Sequence, residues 1–194
     1  MDKDAFKKLL LEELPEQFIE DQLFDRVPYV FGDDRTGFIK WKRELGKRID
    51  VDPACIAIVG SGATGFSMNP HKNFKPFDDD SDVDVAIISS LHFSIGWQYL
   101  RMNKKIRYKL NERMRNAWDD HVKKYIYWGT LATDHLLGIM PFGRQWLRAG
   151  SYMSLHDLPT PHTVNFRIYT DYDALREYHV QGASKLQASI QSYR

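Results

Sequence analysis

CIAIVGSGATGFSMNPHKNFKPFDDDSDVDVAIIS, residues Cys55 to Ser89, is the stretch on which the reading of the whole chain turns. An apolar strand from Cys55 to Val59 runs into a Gly60-Ser61 turn. A polar excursion follows, and a second strand runs from Asp82 to Ser89. Side chains on a strand alternate between faces, so Asp82 and Asp84 share a side, about 7 Å apart along the chain. Val83, Val85 and Ile87 take the other side. Two adjacent carboxylates repel unless a cation stands between them, and such a pair is what a hard divalent ion needs.

The glycines of this stretch admit other readings. Gly60, Gly62 and Gly65 spell GxGxxG directly after a strand, the dinucleotide-binding fingerprint. Gly60 to Ser67 also approximates a P-loop, but Phe66 stands where the phosphate-reaching lysine belongs. The dinucleotide reading needs a crossover helix after the glycines. The chain offers Pro70, Pro76 and a polar run instead, which leaves room for a short turn of helix at most.

A strand ending in Gly-Ser, a polar linker and then Asp-Ser-Asp-Val-Asp-Val-Ala-Ile-Ile resembles the signature of the DNA polymerase beta-type nucleotidyltransferase superfamily. Gly60-Ser61 and Asp82-Val83-Asp84 occupy the motif positions, with Asp80-Ser81 as the lead-in. The resemblance implies metal-dependent transfer of a nucleotidyl group from a nucleoside triphosphate to an acceptor hydroxyl. Asp82 and Asp84 would be catalytic and would hold Mg²⁺ or Mn²⁺, and Gly60 and Ser61 would bind the nucleotide. It selects no acceptor among a protein side chain, RNA, a nucleotide and a small molecule. In that family a third acid stands on a later strand beside the Asp-x-Asp strand. The later strand here, Thr163 to Tyr169, has none, and its alternation presents Thr163, Asn165, Arg167 and Tyr169 on one face. Asp171 and Asp173 follow it, one of them as a helix cap, and Asp134 falls in a segment read as helical. The expectation is therefore a compromised metal site, with a catalytically impaired binding or regulatory module of the same fold as the alternative. A dinucleotide-binding redox protein is the second alternative.

Composition sets the bounds. The 194 residues suit a single domain, with residues 1–50 as a helical N-terminal extension and 51–194 as the core. A net charge of +1 gives the whole chain no bias towards nucleic acid or membrane, and 43% hydrophobic with 13% aromatic residues argues against disorder. One cysteine, Cys55, excludes an internal disulfide and a cysteine-based zinc site. The absence of a long apolar run points to a soluble, cytoplasmic protein without a membrane partner.

Outward from the central stretch, Phe6, Leu9, Leu10 and Leu14 repeat at helical spacing after Asp2, and Pro15 ends that helix and opens another. Arg35 to Arg48 reads as a third helix. His92 to Asn103 and a long helical stretch to about Tyr127 follow the second strand. Arg101 to Lys124 is locally basic, as suits the solvated face of an amphipathic helix or a surface for triphosphate or polynucleotide. Gly129 to Ser154 reads as short helices and turns, with Arg144 and Arg148 one turn apart. His156 and His162 read as surface histidines on a loop, and Thr170 or Asp171 caps a last helix. The predicted fold class is α/β: a small mixed, nucleotidyltransferase-like sheet flanked by helices on one face, with added N-terminal helices.

Overall fold

The computed structural model describes residues 1–156 and 158–192. Helix α1 (Lys3–Glu12) starts where Asp2 accepts the Ala5 N–H at 2.8 Å, and Pro15 opens α2 (Pro15–Ile19), which runs on as a π-helical turn from Glu20 to Phe24. Asp34 caps α3 (Arg35–Ile49), which ends at Asp50 in the left-handed region. Strand β1 (Ile56–Val59) leads into a single helical turn, α4 (Ser61–Thr64), and β2 (Val83–Ile88) follows a long loop. Helix α5 (Ser90–Met102), a 3₁₀ stretch (Lys104–Lys109), α6 (Glu112–Asp120) and a π-helical turn (His121–Tyr125) precede β3 (Thr130–Ala132). Helix α7 (Gly143–Met153), β4 (Val164–Tyr169) and α8 (Tyr172–Gln191) complete the order.

The chain is thus α/β, built on one small mixed sheet in the order β1-β2-β4-β3. β1 runs antiparallel to β2, β2 parallel to β4, and β4 antiparallel to β3. Register divides the sheet chemically. Ile56, Ile58, Val85, Ile87, Phe166, Ile168 and Leu131 point to one side, and α5 and α7 cover them. Trp146 of α7 lies 5.5 Å from the Phe166 ring, and a Cβ on Gly96 of α5 would fall 2.6 Å from a Leu131 methyl, so any side chain there would make Leu131 shift. The opposite side carries Asp84, Asn165, Arg167 and Tyr169. Tyr178 and His179 of α8 pack over Tyr169, at 5.9 and 6.2 Å between rings. Helices therefore cover both faces, not one, and the end of the polar face at Asp84 is left open.

Other expectations shift as well. The long helix to Tyr127 is broken at Asn111, whose side chain accepts the Met114 N–H and starts α6 afresh. Gly129 to Ser154 holds a strand, β3, beside its helices, so Thr163 to Tyr169 is the fourth strand and not the third. Cys55 lies half-buried in a 3₁₀ turn just before β1.

The N-terminal helices share the core of the sheet. Phe6 is fully buried among Phe18, Phe66 and Phe74, with ring centroids 5.5, 5.2 and 6.1 Å away. Gln187 of α8 donates to Leu10 O and Glu13 O, at 2.5 and 3.0 Å. Burying Phe74 under Phe6 fixes the excursion between the two central strands, which closes on itself through Ser67 N to Lys75 O at 2.8 Å. No described helix is long and apolar enough to cross a membrane.

Candidate active site

Asp84 is the second residue of β2, between Val59 of β1 and Asn165 of β4 in the ladder. Beside it the chain leaves β1 through Gly60, at φ 64° and ψ −149°, a backbone region open essentially to glycine alone. A Cβ built on Gly60 would lie 3.2 Å from Asp84 Oδ2, so turn and carboxylate are in direct apposition. Gly60, Asp84, Asp134, Asn165 and Arg167 line one crevice of about 170 Å³, floored by Tyr169, Tyr178 and His179. Asp134 reaches it from the turn that follows β3, not from a helix. β3 places it there by pairing Ala132 with Arg167 of β4. Asp171 and Asp173 do not reach the crevice. Asp171 accepts the Ala174 N–H at 2.8 Å as the cap of α8, and Asp173 lies 3.9 Å from Arg176.

Asp82 is exposed and lies outside that lining, two residues before Asp84 in the extended chain, yet close enough to act on its charge. His162, read from the sequence as a surface residue, is buried and holds the approach to Asp82. Its Nδ1–H donates to Ser81 O, and its Nε2 meets the Thr160 hydroxyl, both at 2.8 Å. Ser61 opens α4, half-buried, with no hydrogen bond to its hydroxyl among the described residues. Arg144 and Arg148 line a separate cavity with Arg48 and have no part in this crevice.

The electrostatics of the crevice are unbalanced. Asp84 keeps exposed surface, but protein atoms crowd its carboxyl. That desolvation, with Asp134 and Asp82 nearby, outweighs the pull of Arg167 and Lys72 and raises its pKa above the ordinary carboxylate value. Among the described residues the carboxylates of Asp82, Asp84 and Asp134 have no hydrogen bond and no ion pair, whereas those of Asp34, Asp52 and Asp171 are spent as caps. Arg167 does not neutralise them by contact. Its Nη1 donates to the Tyr178 hydroxyl, and its guanidinium lies 5.0 Å from the Tyr178 ring and 5.8 Å from that of Tyr125. Burial opposes its charge, but Tyr169, Tyr178 and Asp134 prevail and hold its pKa above the guanidinium value. Below it, burial and then Arg167 press His179 down to about 3, so its imidazole stays neutral.

Among the described residues no three acidic, imidazole or thiol side chains stand close enough together to hold a metal ion. The donor chemistry of the pair at Asp84 and Asp134 nevertheless fits a hard cation: the carboxylates are unpartnered, and beyond the burial that chiefly raises the Asp84 pKa, their mutual repulsion is what a divalent ion would relieve. The glycine fingerprint does not open a dinucleotide unit. Gly60, Gly62 and Gly65 span one helical turn, and β1 and β2 are antiparallel neighbours where a crossover between parallel strands would be required. Comparison of the chain with protein-family models, with curated proteins and with solved structures gave no match in any of the three.

Proposed function

We propose that the chain transfers a nucleotidyl group from a nucleoside triphosphate to an acceptor hydroxyl, on a nucleotidyltransferase-like core. Asp82, Asp84 and Asp134 form its acid set, and the Gly60-Ser61 turn seats the phosphates. One observation carries the reading: unpartnered carboxylates from distant parts of the chain meet beside a glycine turn that leaves no Cβ in the way. The Asp-x-Asp and Gly-Ser resemblance supports it independently. Mg²⁺ or Mn²⁺ held by Asp82 and Asp84 would supply Lewis acidity at the reacting phosphate. Gly60 admits phosphate oxygens to the backbone, and the Ser61 hydroxyl adds a donor. Asp134 supplies the acid that β4 lacks, as a further ligand or as the base for the proton of the acceptor.

A second reading, nucleotide binding without turnover, is favoured by Asn165. It pairs with Asp84 in the ladder, where an acid would complete the set, and its amide cannot take a proton. Incubation with each of the four α-labelled nucleoside triphosphates, Mg²⁺ or Mn²⁺, and a panel of acceptors separates the two. Pyrophosphate release that is lost in Asp84→Asn and falls in Asp134→Asn supports transfer. Nucleotide binding without release supports the second reading, and the absence of both overturns the two together.

A further inference from the structure

Residues Arg101 to Trp128 concentrate two features that the acid crevice does not use. Nine are Lys or Arg, against Glu112, Asp119 and Asp120, in a chain whose net charge is only +1. The same stretch supplies Met102, Tyr108, Val122, Tyr127 and Trp128, five of the twelve large apolar side chains exposed among the described residues. Tyr108 is 77% and Tyr127 85% exposed. The solvated face of an amphipathic helix turns its rings inward, and this surface turns them out.

The fold draws the cations together. Arg107 reaches from the 3₁₀ stretch to Asp119 on α6, with Nε at 2.7 Å and Nη2 at 2.5 Å. Lys123 and Arg115 act on the same carboxylate, so three cations gather round one acid. Lys104, Lys105 and Lys109 remain exposed and have no ion pair among the described residues. At the far end, one turn beyond Lys123, the Tyr127 and Trp128 rings stand edge to face at 5.3 Å.

We propose that this surface binds single-stranded nucleic acid, the cations meeting its phosphates and Tyr108, Tyr127 and Trp128 offering faces on which unpaired bases stack. Excess positive charge supplies sequence-independent attraction, and exposed rings reward only bases that are free to leave a duplex stack. The surface adjoins the acid crevice. Arg113 Nε lies 3.0 Å from Nε2 of His135, the neighbour of Asp134, and Tyr125 packs near Arg167. Binding does not depend on nucleotidyl transfer, since none of the three acids takes part in it.

The test is fluorescence anisotropy with a labelled oligouridylate of about twenty residues, at salt from about 50 to 200 mM. Binding should weaken linearly in log–log with salt. Charge reversal of Lys104, Lys105 and Lys109 to Glu should weaken it more than about tenfold and flatten the salt slope by about one per cation. Tyr108→Ala and Tyr127→Ala should each cost about fivefold or more on the single strand, and little on a duplex of the same length. These side chains are exposed, so circular dichroism and the thermal midpoint should not change, and Asp84→Asn should bind as the parent does. Four results would overturn the proposal: no binding at low salt, affinity indifferent to the lysines, a duplex bound as well with no response to tyrosine loss, or capture by phosphatidylserine vesicles in place of the oligonucleotide.

Discussion

Asp84 carries two expectations of opposite sign. Its carboxyl binds a proton more tightly in the fold than in the unfolded chain, so its contribution to stability is present at low pH and is lost as pH rises through the raised folded value. At pH 7 without divalent ions, Asp84→Asn should therefore unfold at a denaturant concentration no lower than the parent. Any gain should vanish below about pH 4, where the unfolded carboxyl is itself protonated. If the proposed transfer takes place, the same variant should lose it by roughly a hundredfold or more, beyond what the loss of an outer-sphere partner causes. Gly60→Val should fail on both counts. Its backbone strain should cost about 1–3 kcal/mol in urea denaturation, and its branches would fill the space beside Asp84 Oδ2. Undiminished triphosphate affinity in a calorimetric titration of Gly60→Val would remove the turn from the site.

At the scale of elements, short polar side chains set many of the boundaries. Asp2, Asp34, Asn111 and Asp171 each accept an N–H in the first turn of a helix, and of these the sequence pattern places Asp2 and Asp171 at helix starts. Asp171→Ala should destabilise the protein by about 1 kcal/mol through loss of the α8 cap and leave nucleotide binding intact. Loss of binding at unchanged stability would instead mark Asp171 as a site residue. β3 was not legible. Three residues are too few for alternation to register, and Thr130 to Ala132 are all buried, so no polar face appears. The stretch to Tyr127 misled for the opposite reason: its apolar spacing continues through Asn111 although the backbone does not.

Across the whole molecule, burial lowers the pKa of His92, His121 and His179, that of His179 to about 3. A histidine held neutral binds fewer protons folded than unfolded, so stability is present above the unfolded value of about 6.5 and is lost as pH falls from there. His179→Gln keeps a polar group near the Tyr169 hydroxyl, 3.4 Å away in the parent, and removes the titration. Guanidinium unfolding between pH 7 and 4 should then show a shallower acid slope, by up to about 1.4 kcal/mol per pH unit. A slope identical to that of the parent would mean that His179 does not report burial there. Local chemistry determined much of this protein in advance. The Gly60-Ser61 turn, the capped N-terminal helices and the alternating strand at Asn165 and Arg167 all follow from neighbours in sequence. The meeting of Asp84 and Asp134 in one crevice was decided only in three dimensions. Asp134 is separated from Asp84 by α5, α6 and their connections, and it arrives because β3 pairs antiparallel with β4, which itself lies parallel to β2. The burial of His162 behind Asp82 and the turning of Arg167 towards Tyr178 arise in the same way. Periodicity and caps report interactions a few residues apart, whereas these contacts depend on which strands become neighbours, and no local pattern encodes that choice.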